Sequence, residues 1–375
     1  HYPEPSEPYA VTLGLEYMHR LIGQEIPEAD VARILASLEI EVTEHQGKLW
    51  SLAVPRYRVD VTRPSDVVEE ILRIYGYNRI ELSGYIHANL SPKGAVDRSY
   101  SRRLLLSEQL TGAGFNELLN NSLSSEAYYE GLTSYPAERL VRLVNPLSGE
   151  LNVMRQTLLF GGLAAISRNL RRQQRSFYYY EWGNCYEAAP EQTKSDATTL
   201  AGYRERQTLG LWVAGERITG SWAHPDEAAS PFELKAQVEH IFERLGIALS
   251  GIKTSFVERD LFAGPGYAYS TYDGKELVVL GQVHPRLLAT WDIELPVYFA
   301  SVDWEQINRL AERVKLEAKE LAKYPIVKRD LSLLIDSKTT FAELEQAARR
   351  AEKKLLRSVS LFDVYEGKNL PAGKK

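Results

Sequence analysis

Residues Asp60–Ile80, DVTRPSDVVEEILRIYGYNRI, gather four carboxylates, Asp60, Asp66, Glu69 and Glu70, around one predicted helix start. Two kinds of chemistry use such groups. Carboxylates in a first helical turn accept from free backbone N–H groups and suit the positive end of the helix dipole. In that reading Asp66 caps, Glu69 stands three residues later as in a capping box, and Glu70 sits in the dipole. Hard oxygen donors also hold magnesium, in near-octahedral geometry with several waters kept. Asp66, Glu69 and Glu70 lie at i, i+3 and i+4 and project from one helix end, while Asp60 is expected to arrive from the preceding strand. Spacing leaves both readings open, and they are compatible. Arg168, Arg171, Arg172 and Arg175 share most of one helix face, which suits either solvation or phosphate contact. The aromatic run Phe177–Tyr180 with Trp182 alternates as a strand and reads as core rather than as a base-stacking platform. His224, His240 and His284 show no metal-ligand spacing, and no Ser-His-Asp or Cys-His arrangement stands out.

The elements that must position these groups follow from periodicity. Residues 27–38 predict a helix, with Pro27 in the first turn and Val31, Ile34, Leu35 and Leu38 as its apolar stripe. Residues 41–46 and 49–54 predict strands joined at Gly47-Lys48. The carboxylate helix runs from about Asp66 to Tyr75 and stops at Gly76. Together these make a small winged-helix-like domain with few apolar positions. Its charge argues against DNA reading, because the carboxylates would repel phosphate. From Asp97 onward the pattern predicts helices over 100–113, 158–171 and 233–245, and another from Trp304. Strands fit 139–144, 177–182, 209–213, 267–273 and 277–283, the last two joined by Asp273-Gly274 as a two-residue hairpin turn. Hairpins with flanking helices predict an α+β fold on an antiparallel sheet rather than a doubly wound parallel one. After Leu321, KYPIVKRDLSLLID predicts a strand, TTFAELEQAARRAEKKLL a helix capped by Thr339 or Thr340, and SVSLFDVYEG a second strand. One β-α-β unit cannot bury both sheet faces, so a completing half is expected beyond it. The expected domains are therefore 1–84, 85–318 and 319–375.

A length of 375 residues suits two or three domains. The net charge of −5 gives no global pull toward nucleic acid. Residues 319–375 nevertheless hold thirteen Lys/Arg against eight Asp/Glu, which suits a polyanion contact or a solvated lysine-rich face. The single cysteine, Cys185, excludes an internal disulfide and a Cys-based zinc site and fits a reducing cytoplasm. No apolar run approaches the roughly 20 residues of a membrane span. The opening His1 and the closing LPAGKK look like cuts through a longer polypeptide.

Asp60–Ile80 resembles the small domain preceding the synthetase module in the β subunit of bacterial phenylalanine–tRNA ligases. Three further stretches resemble the same subunit, in order along the chain. They are Asn145–Ser148 with Met154-Arg155 and the Phe177–Gly183 strand, then Phe232–Gly246 ahead of Gly281–Pro285, then Tyr324–Ser332 with Phe362–Lys368. The last pair is similar to the opening half of the family's ferredoxin-fold anticodon-binding domain. The resemblance implies a cytoplasmic α₂β₂ enzyme that charges tRNA-Phe using ATP. It implies that the α subunit carries the chemistry, and that this chain supplies a non-catalytic class II synthetase-like module, an α-subunit partner surface and tRNA support. It also implies magnesium on Asp60, Asp66, Glu69 and Glu70. Class II chemistry needs arginines that clamp ATP phosphates. Here the expected Arg-x-Glu reads Met154-Arg155-Gln156-Thr157, and Leu280–Arg286 reads LGQVHPR without the glycine-rich arginine pattern. No catalytic residue is therefore expected. A stand-alone nucleic-acid-binding adaptor on a relic synthetase fold is the alternative.

Overall fold

Alternation in YAVTLG turns Val11 and Leu13 inward and forms β1 (Tyr9–Gly14), followed by α1 (Leu15–Ile22). Neither is among the elements expected above, because the proline-rich opening masks a short strand. The structure, a computed structural model, describes residues 6–81, 94–189, 202–315, 323–365 and 370–375, with Leu200, Ala318 and Gly367. The chain forms two compact units, His1–Gly94 and Ala95–Lys375.

The first unit continues with α2 (Glu28–Ser37), β2 (Glu41–Gln46), β3 (Leu49–Val54) and α3 (Pro64–Tyr75). Its antiparallel sheet has the order β1-β3-β2. Val11, Leu13, Leu15 and Met18 join Val31, Ile34, Leu35, Trp50, Val67 and Ile71 in one buried cluster. The unit thus has its own core, more apolar than the sequence suggests once β1 and α1 are counted. Fully burying each such side chain is worth roughly 1.5–3 kcal/mol. Gly76, at φ 101°, ends α3 with its N–H on Leu72 O.

The second unit opens with α4 (Ala95–Gly112) and the short strands β4 (Asn116–Glu117), β5 (Leu123–Ser124), β6 (Val141–Arg142) and β7 (Val153–Met154). Only two residues of the strand expected over 139–144 are paired, because their partner β7 is equally short. Next come α5 (Leu159–Leu170), β8 (Ser176–Ala188), β9 (Tyr203–Ile218), β10 (Glu227–Ala228) and α6 (Pro231–Arg244). β11 (Lys253–Val257), β12 (Gly266–Ser270), β13 (Glu276–Gln282), α7 (Pro285–Ala289), β14 (Val297–Asp303) and α8 (Trp304–Glu312) complete the body. The main sheet has the order β11-β12-β13-β14-β9-β8-β4, antiparallel except where β4 joins β8, with β10 pairing β9. The β12–β13 connection spans Thr271–Lys275, not two residues. Thr271 Oγ1 accepts from Lys275 N, and a bulge at Tyr269/Ser270 shifts the register.

One face of this sheet carries α4, α6 and α8 through Leu106, Leu234, Val238, Phe242, Trp304 and Ile307. The other packs Leu159, Phe160, Leu163 and Ile166 of α5 on Phe177, Tyr179, Trp212 and Phe299. No helix among the described residues is long and apolar enough to cross a membrane.

Of the β-α-β unit expected over 319–375, the helix forms as α9 (Phe341–Ala351), with Thr340 as its cap. The two strands do not form among the described residues, where only an isolated bridge, Asp336 to Lys374, is found. A strand needs a lateral partner for its N–H and C=O groups, and neither segment supplies one to the other. Tyr324, Ile326, Leu331 and Phe362 stay exposed as a result.

Candidate functional site

Pro64 sets where the carboxylate helix starts. Its fixed φ suits the first helical position, so Arg63 becomes the N-cap and Asp66 the third helical residue. Asp66 is therefore not the cap expected from the sequence. It reaches back instead: Oδ2 accepts from the Arg63 N–H at 2.8 Å and from the Thr62 N–H at 3.1 Å. The Arg63 guanidinium closes over it at 2.9 Å. That ion pair, aided by the two backbone donors, holds the Asp66 carboxyl at about 2. Glu70 accepts from Arg73 at 2.6 Å and from Arg58 at 3.0 Å with its side chain 15% exposed. Arg73 in first place, then Arg58, hold its carboxyl below the ordinary range. Asp60 and Glu69 are exposed, and Glu69 makes no hydrogen bond or ion pair among the described residues.

The structure thus places Asp66 and Glu70 on arginines and leaves Asp60 and Glu69 in solvent. Their oxygen chemistry suits magnesium, but their placement does not. Guanidinium groups stand against two of the four, and among the described residues no three acidic, His or Cys groups converge on a cation position.

The Asp66 contacts stabilise only the ionised carboxylate, so their contribution is complete above its ordinary value of 3.8 and is lost as pH falls through about 2. Acid unfolding of the first unit should consequently shift between wild type and Asp66→Asn. The wild type is expected to lose stability steeply below pH 4, and the variant to show a flatter profile. Identical profiles by circular dichroism would remove Asp66 from this role.

The second candidate site is Arg155, at the end of β7. Its carboxylate partner is missing from the neighbouring sequence and comes from β8 instead. Arg155 Nη1 lies 2.7 Å from Glu181 Oε1, and both side chains are buried. Its Nε donates to Asn184 O at 3.0 Å, while Glu181 Oε2 accepts from Asn120 Nδ2 at 2.6 Å. Gly183 makes the room, since a Cβ there would run into the guanidinium and Leu158. Nε and Nη1 of Arg155 are therefore engaged within the chain, and Glu181 matches its charge. Near LGQVHPR, His284 caps α7 by accepting the Arg286 N–H, and Arg286 donates to Asp260 O at 3.1 Å. Sequence reasoning missed Glu181, although a signal exists. An acid that alternates in phase with Phe177 and Tyr179 faces a core, and a buried carboxylate requires a cation.

Of the arginine run, Arg171 pairs with Asp292 at 2.9 Å and Arg175 lies 3.6 Å from Glu216, both on exposed stems. The aromatic run divides by alternation. Phe177 and Tyr179 pack against α5, and Tyr180 packs on the opposite face, so these rings are core as expected. His284 is a helix cap, and none of the three histidines belongs to a metal-holding group among the described residues.

Comparison with known proteins agrees along the chain. A family model described as "Phenylalanyl tRNA synthetase beta chain CLM domain" matches residues 59–304. Models described as "tRNA synthetase B5 domain" and "Ferredoxin-fold anticodon binding domain" match residues 11–77 and 322–375. A phenylalanine–tRNA ligase beta subunit of Porphyromonas gingivalis is 50% identical over 374 residues, which is 100% of this chain and 45% of that protein. The same-named subunit of Bacteroides fragilis is 47% identical over 99% of this chain and 45% of its own length. That of Syntrophotalea carbinolica is 29% identical over 100% and 46%. The chain thus spans somewhat under half the length of the curated relatives it matches. A pyrrolysyl-tRNA synthetase from Desulfitobacterium hafniense overlaps 57% of this chain and 69% of its own at 16% identity and a TM-score of 0.42, too loose to carry an argument. The matched domains, in order, and the relatives aligned along the whole of this chain show that it belongs to the phenylalanyl-tRNA synthetase beta chain family.

Proposed function

We propose that this chain serves as the scaffolding part of a phenylalanine–tRNA ligase beta subunit. It would pair with an α subunit in an α₂β₂ assembly, support tRNA-Phe and work in the cytoplasm. ATP would be used through the α subunit. In this reading residues 1–84 form a winged-helix-like domain, 85–318 a non-catalytic class II synthetase-like module, and 319–375 half of a ferredoxin-like anticodon-binding domain. The observation that carries the non-catalytic part is the Arg155–Glu181 pair at 2.7 Å. A guanidinium buried by its own chain, with its charge already matched by Glu181, is poorly placed to clamp the charge that builds up on ATP phosphates.

The test is phenylalanine-dependent pyrophosphate exchange, run on this chain alone and after co-expression with its α subunit. Co-elution in size exclusion is expected, with exchange only in the complex. Exchange by the isolated chain would overturn the scaffold reading.

For magnesium, the proposal on Asp60, Asp66, Glu69 and Glu70 requires Asp66 to leave Arg63 and Glu70 to leave Arg73 and Arg58. Added magnesium chloride should then raise the unfolding midpoint of the first unit in wild type and leave Asp66→Asn unmoved. Equal responses in both would remove these carboxylates as ligands.

A further inference from the structure

α5 ends in a locked turn. Gln174 N donates to Asn169 O at 3.1 Å and Gln173 N to Leu170 O at 2.9 Å, the paired bonds of a Schellman stop. The Asn169 side chain pins the same turn, its Nδ2 donating to Ala165 O at 2.9 Å and to Tyr179 Oη at 3.2 Å. The stop holds Gln173 at φ 67°, a left-handed position that glycine ordinarily fills. Arg168, Arg171, Arg172 and Arg175 all stand exposed around it.

Two of these charges are unmatched. Arg168 and Arg172 make no side-chain hydrogen bond or ion pair among the described residues. Arg171 and Arg175 meet Asp292 and Glu216, but their own side chains are 70% and 75% exposed, and such surface pairs hold weakly. No Asp or Glu occurs from Leu151 to Tyr180, so the turn carries no acid of its own. The negative end of the α5 dipole accounts for cations in its last turn. It accounts neither for Arg175, which lies beyond the helix, nor for glutamine in a glycine position.

Exposed guanidiniums on a fixed backbone suit a polyanion. The planar guanidinium matches phosphate oxygens in pairs. The exposed Gln173 amide adds neutral donors, which phosphate oxygens and ribose hydroxyls accept. An acidic protein partner would want an apolar centre to the contact. Among the described residues no large apolar side chain from Gly149 to Ala189 is exposed. We propose that the turn Arg168–Arg175 is a phosphate-contact surface for tRNA-Phe, holding its backbone without reading its sequence. This rests on the tRNA-supporting role proposed above and names residues that carry it.

The test is filter binding of tRNA-Phe to the full chain purified with its α subunit, over a series of salt concentrations. Wild type is compared with Arg168→Gln/Arg172→Gln and with Arg168→Lys/Arg172→Lys. Two lost phosphate contacts should flatten the slope of log affinity against log salt by about 1.4–1.8, and each single glutamine variant by about half of that. The lysine pair keeps both charges and should keep the wild-type slope. A non-cognate tRNA should show the same flattening, because phosphate contacts carry no sequence information. The glutamine pair should melt and co-elute with the α subunit as wild type does; should it not fold, the single variants carry the comparison. A wild-type slope in the glutamine pair would overturn this surface and leave tRNA support standing. Failure of the wild-type complex to bind tRNA would overturn both. Loss of the α subunit from the glutamine pair would make the turn a protein contact and overturn the RNA assignment.

Discussion

Glu181→Ala should destabilise the second unit by about 3–5 kcal/mol, the range for removing one partner of a buried ion pair. The size follows from what is left behind. Arg155 would remain enclosed between β7 and β8 with its charge unmatched, and the Asn120 amide would lose its acceptor. Glu181→Gln keeps an acceptor for Asn120 and removes only the charge, so it should lose less. Arg155→Met combined with Glu181→Leu should recover much of the loss, because apolar isosteres spare the desolvation of both ions. Guanidinium unfolding at a constant slope gives all three values. A Glu181→Ala variant within about 1 kcal/mol of wild type would mean that solvent reaches the pair.

Gly162→Ala is the second large effect. A methyl at this position of α5 would sit 2.6 Å from Trp212 Cδ2 and closer still to the rest of the indole edge. Trp212 cannot retreat, because it is fully buried, tilted against Phe299 and bounded by its own strand near Gly210. Helix propensity favours alanine by up to about 1 kcal/mol, but overpacking opposes it by typically 1–3 kcal/mol or more, and the clash should win. Trp212→Phe creates room, so Gly162→Ala should cost clearly less in that background. Strict additivity in the double variant would show that the two residues do not share the space.

The first unit was legible wherever periodicity and a turn residue coincided. The hairpin at Gly47-Lys48 and α2 fall where the apolar stripe and alternation put them. The start of α3 was misread by two residues because an acidic cap was favoured over Pro64, and that shift changes what Asp66 does. β8 and β9 extend well past their apolar centres. Asn184–Glu187 pairs with Arg204–Gln207, and a backbone ladder needs no apolar side chains to continue. The Arg155–Glu181 pair joins residues in different windows, so spacing could not reveal it, although an in-phase acid hinted at it. β14 lies beside β9 although the two are far apart in the chain, and no local pattern encodes that neighbour. The magnesium expectation came from the resemblance, since spacing left it open beside capping; spacing counts acids but not the arginines that pair with Asp66 and Glu70.

The placement of β9 also has a kinetic side. Its pairing with β8 closes a nearby hairpin, thirteen residue pairs long, and can form early. Its other edge waits for β14, which begins only at Val297. Closing that larger loop is entropically slower. Until it closes, Leu209, Leu211 and Val213 lie along an open strand edge able to pair with another chain. Dilution and low temperature during refolding, or slow synthesis of the stretch between the two strands, therefore bear on yield more than on final stability.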